Sequence, residues 1–74
     1  MAYKESYAAF SKRFRDNLRK ALTDAGMTQR KQLLAGLDPR YIARIKSGQG
    51  NPTLQTIWKL ARAAGVDPGK LFKR

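Results

Sequence analysis

Gly36-Leu37-Asp38-Pro39-Arg40-Tyr41-Ile42-Ala43-Arg44-Ile45-Lys46-Ser47-Gly48 is a short helix set between two breaks. Asp38 is a good helix cap, and proline fits the first helical position, where no N–H is required. Gly48 supplies the stop. The spacing predicts a helix from Pro39 to Ser47. Wound at about 100° per residue, it turns Ile42 and Ile45 to one side. Arg40, Ala43, Arg44 and Ser47 cluster on the other, with Tyr41 on the flank. The outward side therefore carries two arginines one turn apart with a small residue between them.

The same logic organises the flanking sequence. Thr28 caps a short helix running from Gln29 to Leu34 or Ala35, and Gly36 breaks it. Two short helices across a tight turn have the shape of a helix-turn-helix, here spanning about residues 28–47. Upstream, Tyr7, Phe10, Phe14, Leu18, Ala21 and Ala25 recur at steps of three and four, predicting a helix from Ser6 to Ala25 that ends at Gly26. Asp16 and Lys20 stand at a favourable helical spacing. Downstream, Gly48–Pro52 reads as a loop. Thr53 caps a helix from Leu54 to Ala64, with Trp58 at the edge of its apolar stripe, and Asp67-Pro68 opens a last helical turn. The expected fold is all-α: five helices in one domain, residues 1–74. The expected core is Phe14, Leu18, Leu22, Leu33, Leu37, Ile42, Ile45, Leu54, Ile57, Leu60, Val66 and Leu71.

Sixteen lysines and arginines against five carboxylates give a formal charge of +11 over 74 residues. The excess is not confined to a tail. Residues 1–26 hold six basic and three acidic groups, 27–53 five and one, and 54–74 five and one. A small body so charged favours a polyanionic partner. Cysteine and histidine are both absent, which removes disulfides and thiolate or imidazole metal sites and also the commonest general base. The carboxylates Glu5, Asp16, Asp24, Asp38 and Asp67 show no pairing suited to acid–base work. Neither an enzyme nor a metal, cofactor or small-molecule ligand is expected. A membrane-surface role is disfavoured because the helices break often and need their apolar faces for a core. No secretory signal or membrane span is read, so the expected location is the cytoplasm.

Double-stranded DNA suits both the charge and the outward helix face. Arginine takes a guanine edge with two hydrogen bonds in the major groove, and alanine permits close approach and contact with a thymine methyl. Arg40, Ala43 and Arg44 are therefore the candidate base-reading residues. Lys46 lies beside the inward face, where a long side chain reaches phosphate but not the groove floor. Arg30 and Lys31, opening the second helix, are candidate phosphate contacts. Tyr41 is divided between the edge of the core and a phosphate hydrogen bond. Lys12, Arg13, Arg15, Arg19 and Lys20 read as a solvated face, and Tyr3, Tyr7 and Phe10 as packing.

Residues 14–72 resemble the phage-repressor-like (Cro/cI, XRE-type) helix-turn-helix family. The resemblance is carried by Gly26-Met-Thr-Gln29, Gly36-Leu-Asp-Pro-Arg-Tyr-Ile-Ala-Arg-Ile45, Gly48, Asn51-Pro-Thr-Leu54 and Leu60-Ala-Arg-Ala-Ala-Gly-Val66. It implies a lambda-repressor-like DNA-binding fold and a sequence-specific transcriptional regulator of the repressor kind, with helix 39–47 in the major groove. It implies that Arg40 and Arg44 read bases and that Gln29, beside the Thr28 cap, braces a phosphate and the recognition helix. Ser47, Gln49, Asn51 and Thr53 would surround a phosphate-gripping loop. It also implies a homodimer on a palindromic operator, with a contact expected from the C-terminal part, including Trp58 or Phe72. The chain departs from the family pattern by one missing residue between Met27 and Gly48, so that, counted back from Gly36, Gln32 stands where a small alanine is usual. A shortened second helix or tighter turn is expected. The alternative function is an antitoxin-like protein that binds a partner protein and regulates its own gene through the same fold.

Overall fold

Five polar side chains start the five helical segments. In the computed structural model, which describes residues 3–74, Ser6, Thr28, Asp38, Thr53 and Asp67 accept hydrogen bonds from the amides of Ala9, Lys31, Arg40, Thr56 and Gly69. Such caps satisfy amides that have no partner inside the helix and each contribute about 1 kcal/mol. They open α1 (Tyr7–Asp24), α2 (Gln29–Leu34), α3 (Pro39–Lys46), α4 (Leu54–Ala64) and a 3₁₀ helix (Pro68–Phe72). The expected fifth helix is thus the tighter 3₁₀ form, suited to a five-residue segment. No strand occurs among the described residues.

The four α-helices end alike. The amides of Met27, Leu37, Gln49 and Val66 reach back to the carbonyls of Leu22, Gln32, Arg44 and Ala61 at 2.8–3.0 Å. This closure needs a left-handed residue just before the returning amide. At Gly48, with φ +85, a side chain would also collide: a Cβ there would lie 2.8 Å from an Arg15 guanidinium nitrogen.

The core draws on four of the five segments. Leu18 of α1, Ile42 and Ile45 of α3, Leu60 of α4 and Leu71 of the 3₁₀ helix are fully buried, joined by Phe14, Leu22, Leu37 and Ala61. Burying such an aliphatic side chain is worth about 1.5–3 kcal/mol. Four of the expected core residues need correction. Leu33 is 63% exposed and Leu54 84% exposed, while Ile57 and Val66 are only partly buried around the core. The residue that α2 turns inward is Gln32, whose amide nitrogen donates to the Met27 carbonyl at 3.4 Å. In so short a helix the inward position is set by the Thr28 cap. Leu54 occupies the first position of α4 and points away from the bundle.

The 3₁₀ helix is fastened to α1 by polar groups as well as by rings. Phe72 stacks on Phe10 and Phe14 at 5.6 and 5.3 Å between ring centres. Arg13 Nε donates to the Phe72 carbonyl at 3.1 Å, and the Asn17 amide donates to the carbonyls of Leu71 and Lys73. Arg13 also pairs with Glu5, and both side chains are mostly buried. The Tyr3 hydroxyl foremost, then Arg13 and Arg74, hold the Glu5 carboxylate below its ordinary pKa. Arg13 therefore belongs to the structural frame and not to a solvated face. Asp16 pairs with Lys12 at 2.7 Å and Arg19 at 3.2 Å, in place of the expected Lys20, and these cations, Lys12 first, lower its pKa. Lys20 pairs with Asp24 instead.

Candidate nucleic-acid interface

The inward anchoring of Ile42 and Ile45, each 1% exposed, fixes the rotation of α3 about its axis. Arg40, Ala43 and Arg44 are consequently exposed on its outer face. The Arg40 side chain is 94% exposed, with Asp38 Oδ1 3.7 Å from its Nε. The same oxygen accepts from the Arg40 amide at 2.9 Å, so Asp38 serves as a cap while it steadies the start of the helix. At the other end, the Ser47 hydroxyl and the Gln49 amide both donate to the Arg44 carbonyl at 2.9 Å. Ser47 and Gln49 are thereby committed to closing α3, with Gln49 keeping its side chain exposed.

The other candidate residues sort by their geometry. Gln29, Arg30 and Lys31 are exposed on α2, continuous with the outer face of α3 through a shallow groove lined by Gln29, Pro39, Arg40 and Ala43. Thr28 and Thr53 have their hydroxyls engaged as caps and act by positioning. Tyr41 is half-buried and packed against the core. Lys46 is half-buried at the last turn of α3. Asn51 is exposed, and its Oδ1 accepts from the Tyr7 hydroxyl at 3.0 Å.

A supporting row on α1 does not emerge from the reading of charge and apolar spacing. Tyr7, 69% exposed, packs little and instead holds Asn51, as just described. Tyr3 is likewise exposed. Arg15 lies against Gly48 and donates to the Ser11 carbonyl. Arg19 donates to the Lys46 carbonyl, closing the C-terminal end of α3 from outside. Residues 7, 11, 15 and 19 stand four apart, a polar row beside the apolar row of Phe10, Phe14 and Leu18. That spacing was the available signal. The row holds the end of α3 and the following loop in place from α1.

Asp38 stands beside Arg40 at the start of α3, while three of the other carboxylates are engaged in ion pairs elsewhere. Glu5, Asp16 and Asp24 pair with Arg13, Arg74, Lys12, Arg19 and Lys20. Among the described residues, no carboxylate lies within ion-pair distance of Arg30, Lys31, Arg44 or Lys46. Their charge remains available to a polyanion. No described helix is long and apolar enough to cross a membrane.

Comparison with known proteins agrees with this geometry. Residues 18–71 match the family described as Helix-turn-helix. The chain is similar to the crystal structure of the restriction-modification controller protein C.AhdI from Aeromonas hydrophila, with 35% sequence identity and a TM-score of 0.78. The alignment covers 92% of this chain and 100% of that one. Among curated proteins no match is found. The family match takes in the last part of α1 and all of α2, α3 and α4, and the protein belongs to the Cro/cI-like, XRE-type helix-turn-helix family of DNA-binding transcriptional regulators.

Proposed function

We propose that residues 1–74 act as one sequence-specific, double-stranded DNA-binding unit that represses transcription as a homodimer, with α3 in the major groove. The observation that carries this reading is the exposure of Arg40, Ala43 and Arg44 on the outer face of α3 while Ile42 and Ile45 lock its inner face. Arg40 and Arg44 read base edges, and Ala43 lets the helix approach closely. Gln29, Arg30, Lys31, Tyr41, Lys46, Ser47, Gln49 and Asn51 contact or frame the phosphates, with Thr28 and Thr53 holding the two helix starts. The likeness to C.AhdI supports control of restriction-modification genes as the regulatory setting.

Selection of bound duplexes from a random pool tests the reading directly. The expected result is an inverted repeat whose half-site centres lie about one DNA turn, roughly 34 Å, apart. A pool that shows no enriched sequence would overturn it.

Dimerisation has a defined candidate surface. Phe72 is occupied by Phe10 and Phe14. Leu54 and Trp58, one turn apart on α4, remain 84% and 49% exposed, with the Arg62 guanidinium 5.3 Å from the Trp58 ring centre. Trp58→Ala is expected to shift the dimer toward monomer by sedimentation and to weaken operator binding without loss of helicity. A wild-type protein that is monomeric both free and on the operator would reject the dimer.

A further inference from the structure

Leu33 breaks the usual correspondence between apolar character and burial in a way that points at the DNA face. It is 63% exposed, although it stands on α2 between the buried Gln32 and the turn at Gly36. It stands four residues after Gln29, on the same side of α2. Together they line the groove between α2 and α3, whose other walls are Asp38, Pro39, Arg40 and Ala43. Leu33, Pro39 and Ala43 thus form a small apolar strip directly beside Arg40. Leu34, at 78% exposed, is not part of that groove.

We infer that Leu33 is a specificity residue that packs against the 5-methyl group of a thymine in the operator major groove. The inference rests on the DNA-reading role proposed for α3. The methyl is the apolar mark on base edges in that groove, and a side chain next to Arg40 reaches the same face of the duplex. Arg40 lines the same groove, and Arg30, Lys31 and Arg44 are exposed on the two helices that form it; their charge complements the phosphate chains that flank any such methyl. Covering one methyl-sized apolar group changes affinity about fourfold.

The test uses the full chain and the operator obtained by selection, with each thymine replaced in turn by uracil, which lacks only the methyl. At one position per half-site, wild-type affinity is expected to fall about fourfold on the uracil duplex. Leu33→Ala should bind thymine and uracil duplexes alike, near the wild-type uracil value. Leu34→Ala should keep the wild-type discrimination. Leu33 is exposed, so the variant is expected to fold, and circular dichroism of each variant verifies this. Thymine–uracil discrimination that persists undiminished in Leu33→Ala would assign the methyl to Ala43 and overturn the inference. So would the absence of any thymine whose methyl matters. Both results leave the DNA-reading role of α3 standing, whereas failure of the selection itself overturns that role.

Discussion

Arg40→Ala and Arg44→Ala are each expected to cost about 1–3 kcal/mol on the selected operator while losing far less on a scrambled duplex. Both side chains are exposed and stand on a helix whose packing is carried by Ile42 and Ile45, so neither change disturbs the fold. Arg40→Ala leaves the Asp38 cap intact, because that bond goes to the backbone amide. The loss is therefore one of contact and should appear as relaxed preference at one base pair per half-site. Lys46→Ala provides the contrast. It is half-buried at the last turn of α3, and its proposed contact is with phosphate and not with a base. It should weaken specific and scrambled DNA alike and reduce the salt dependence by about one counterion. Titrations at several salt concentrations separate the patterns. Equal losses on both duplexes for the two arginine variants would mean that α3 is not the reading helix.

Leu18→Ala is expected to remove most of the protein's stability. Leu18 is 0% exposed at the middle of α1, inside the core that also receives Ile42, Ile45, Leu60 and Leu71. Truncating a buried leucine costs about 2–5 kcal/mol. Domains of this length rarely hold more than about 3–5 kcal/mol in reserve. The variant should be largely unfolded at room temperature by circular dichroism, with urea titration giving the magnitude. Operator DNA in large excess should restore part of the helicity, since it binds the folded state alone. Leu54→Ala, by contrast, should shift monomer stability by about 0.5 kcal/mol or less, because Leu54 is 84% exposed. A loss below about 1 kcal/mol for Leu18→Ala would mean that α1 does not hold the core together.

The parts of this fold that local chemistry determines were legible. Ser6, Thr28, Asp38, Thr53 and Asp67 mark the segment starts as caps, and the alternation around Ile42 and Ile45 gives the outward face of α3. What escaped depends on position along a helix or on distance along the chain. Leu33 and Leu34 look like core by type, yet a six-residue helix has one inward position, and the cap assigns it to Gln32. Ala61 is too small to stand out by type but is 0% exposed because α4 approaches closely there. Arg13 meets its carbonyl partner 59 residues away, and Arg19 meets the end of α3 27 residues away. No local pattern encodes such partners. The four-residue spacing of Tyr7, Ser11, Arg15 and Arg19 was there to be read as one row, but not what that row would touch.

The fastening of α1 by the last helical segment bears on the order in which the fold is assembled. Phe10, Phe14, Arg13 and Asn17 leave the ribosome well before their partners Leu71, Phe72 and Lys73, which follow Arg13 and Asn17 by 54 to 59 residues. Until those residues emerge, the apolar side of α1 has no lid and Leu18 has no closed environment. The nascent chain already contains α3 and much of the positive charge, but the core that receives Ile42 and Ile45, and so aims Arg40 and Arg44, still lacks Leu71. Acquisition of the native structure therefore waits until residues 71–73 have been made, as contacts between distant parts of a chain require. A polypeptide interrupted before Pro68 is therefore expected to attract nucleic acid through charge alone and to discriminate among sequences poorly.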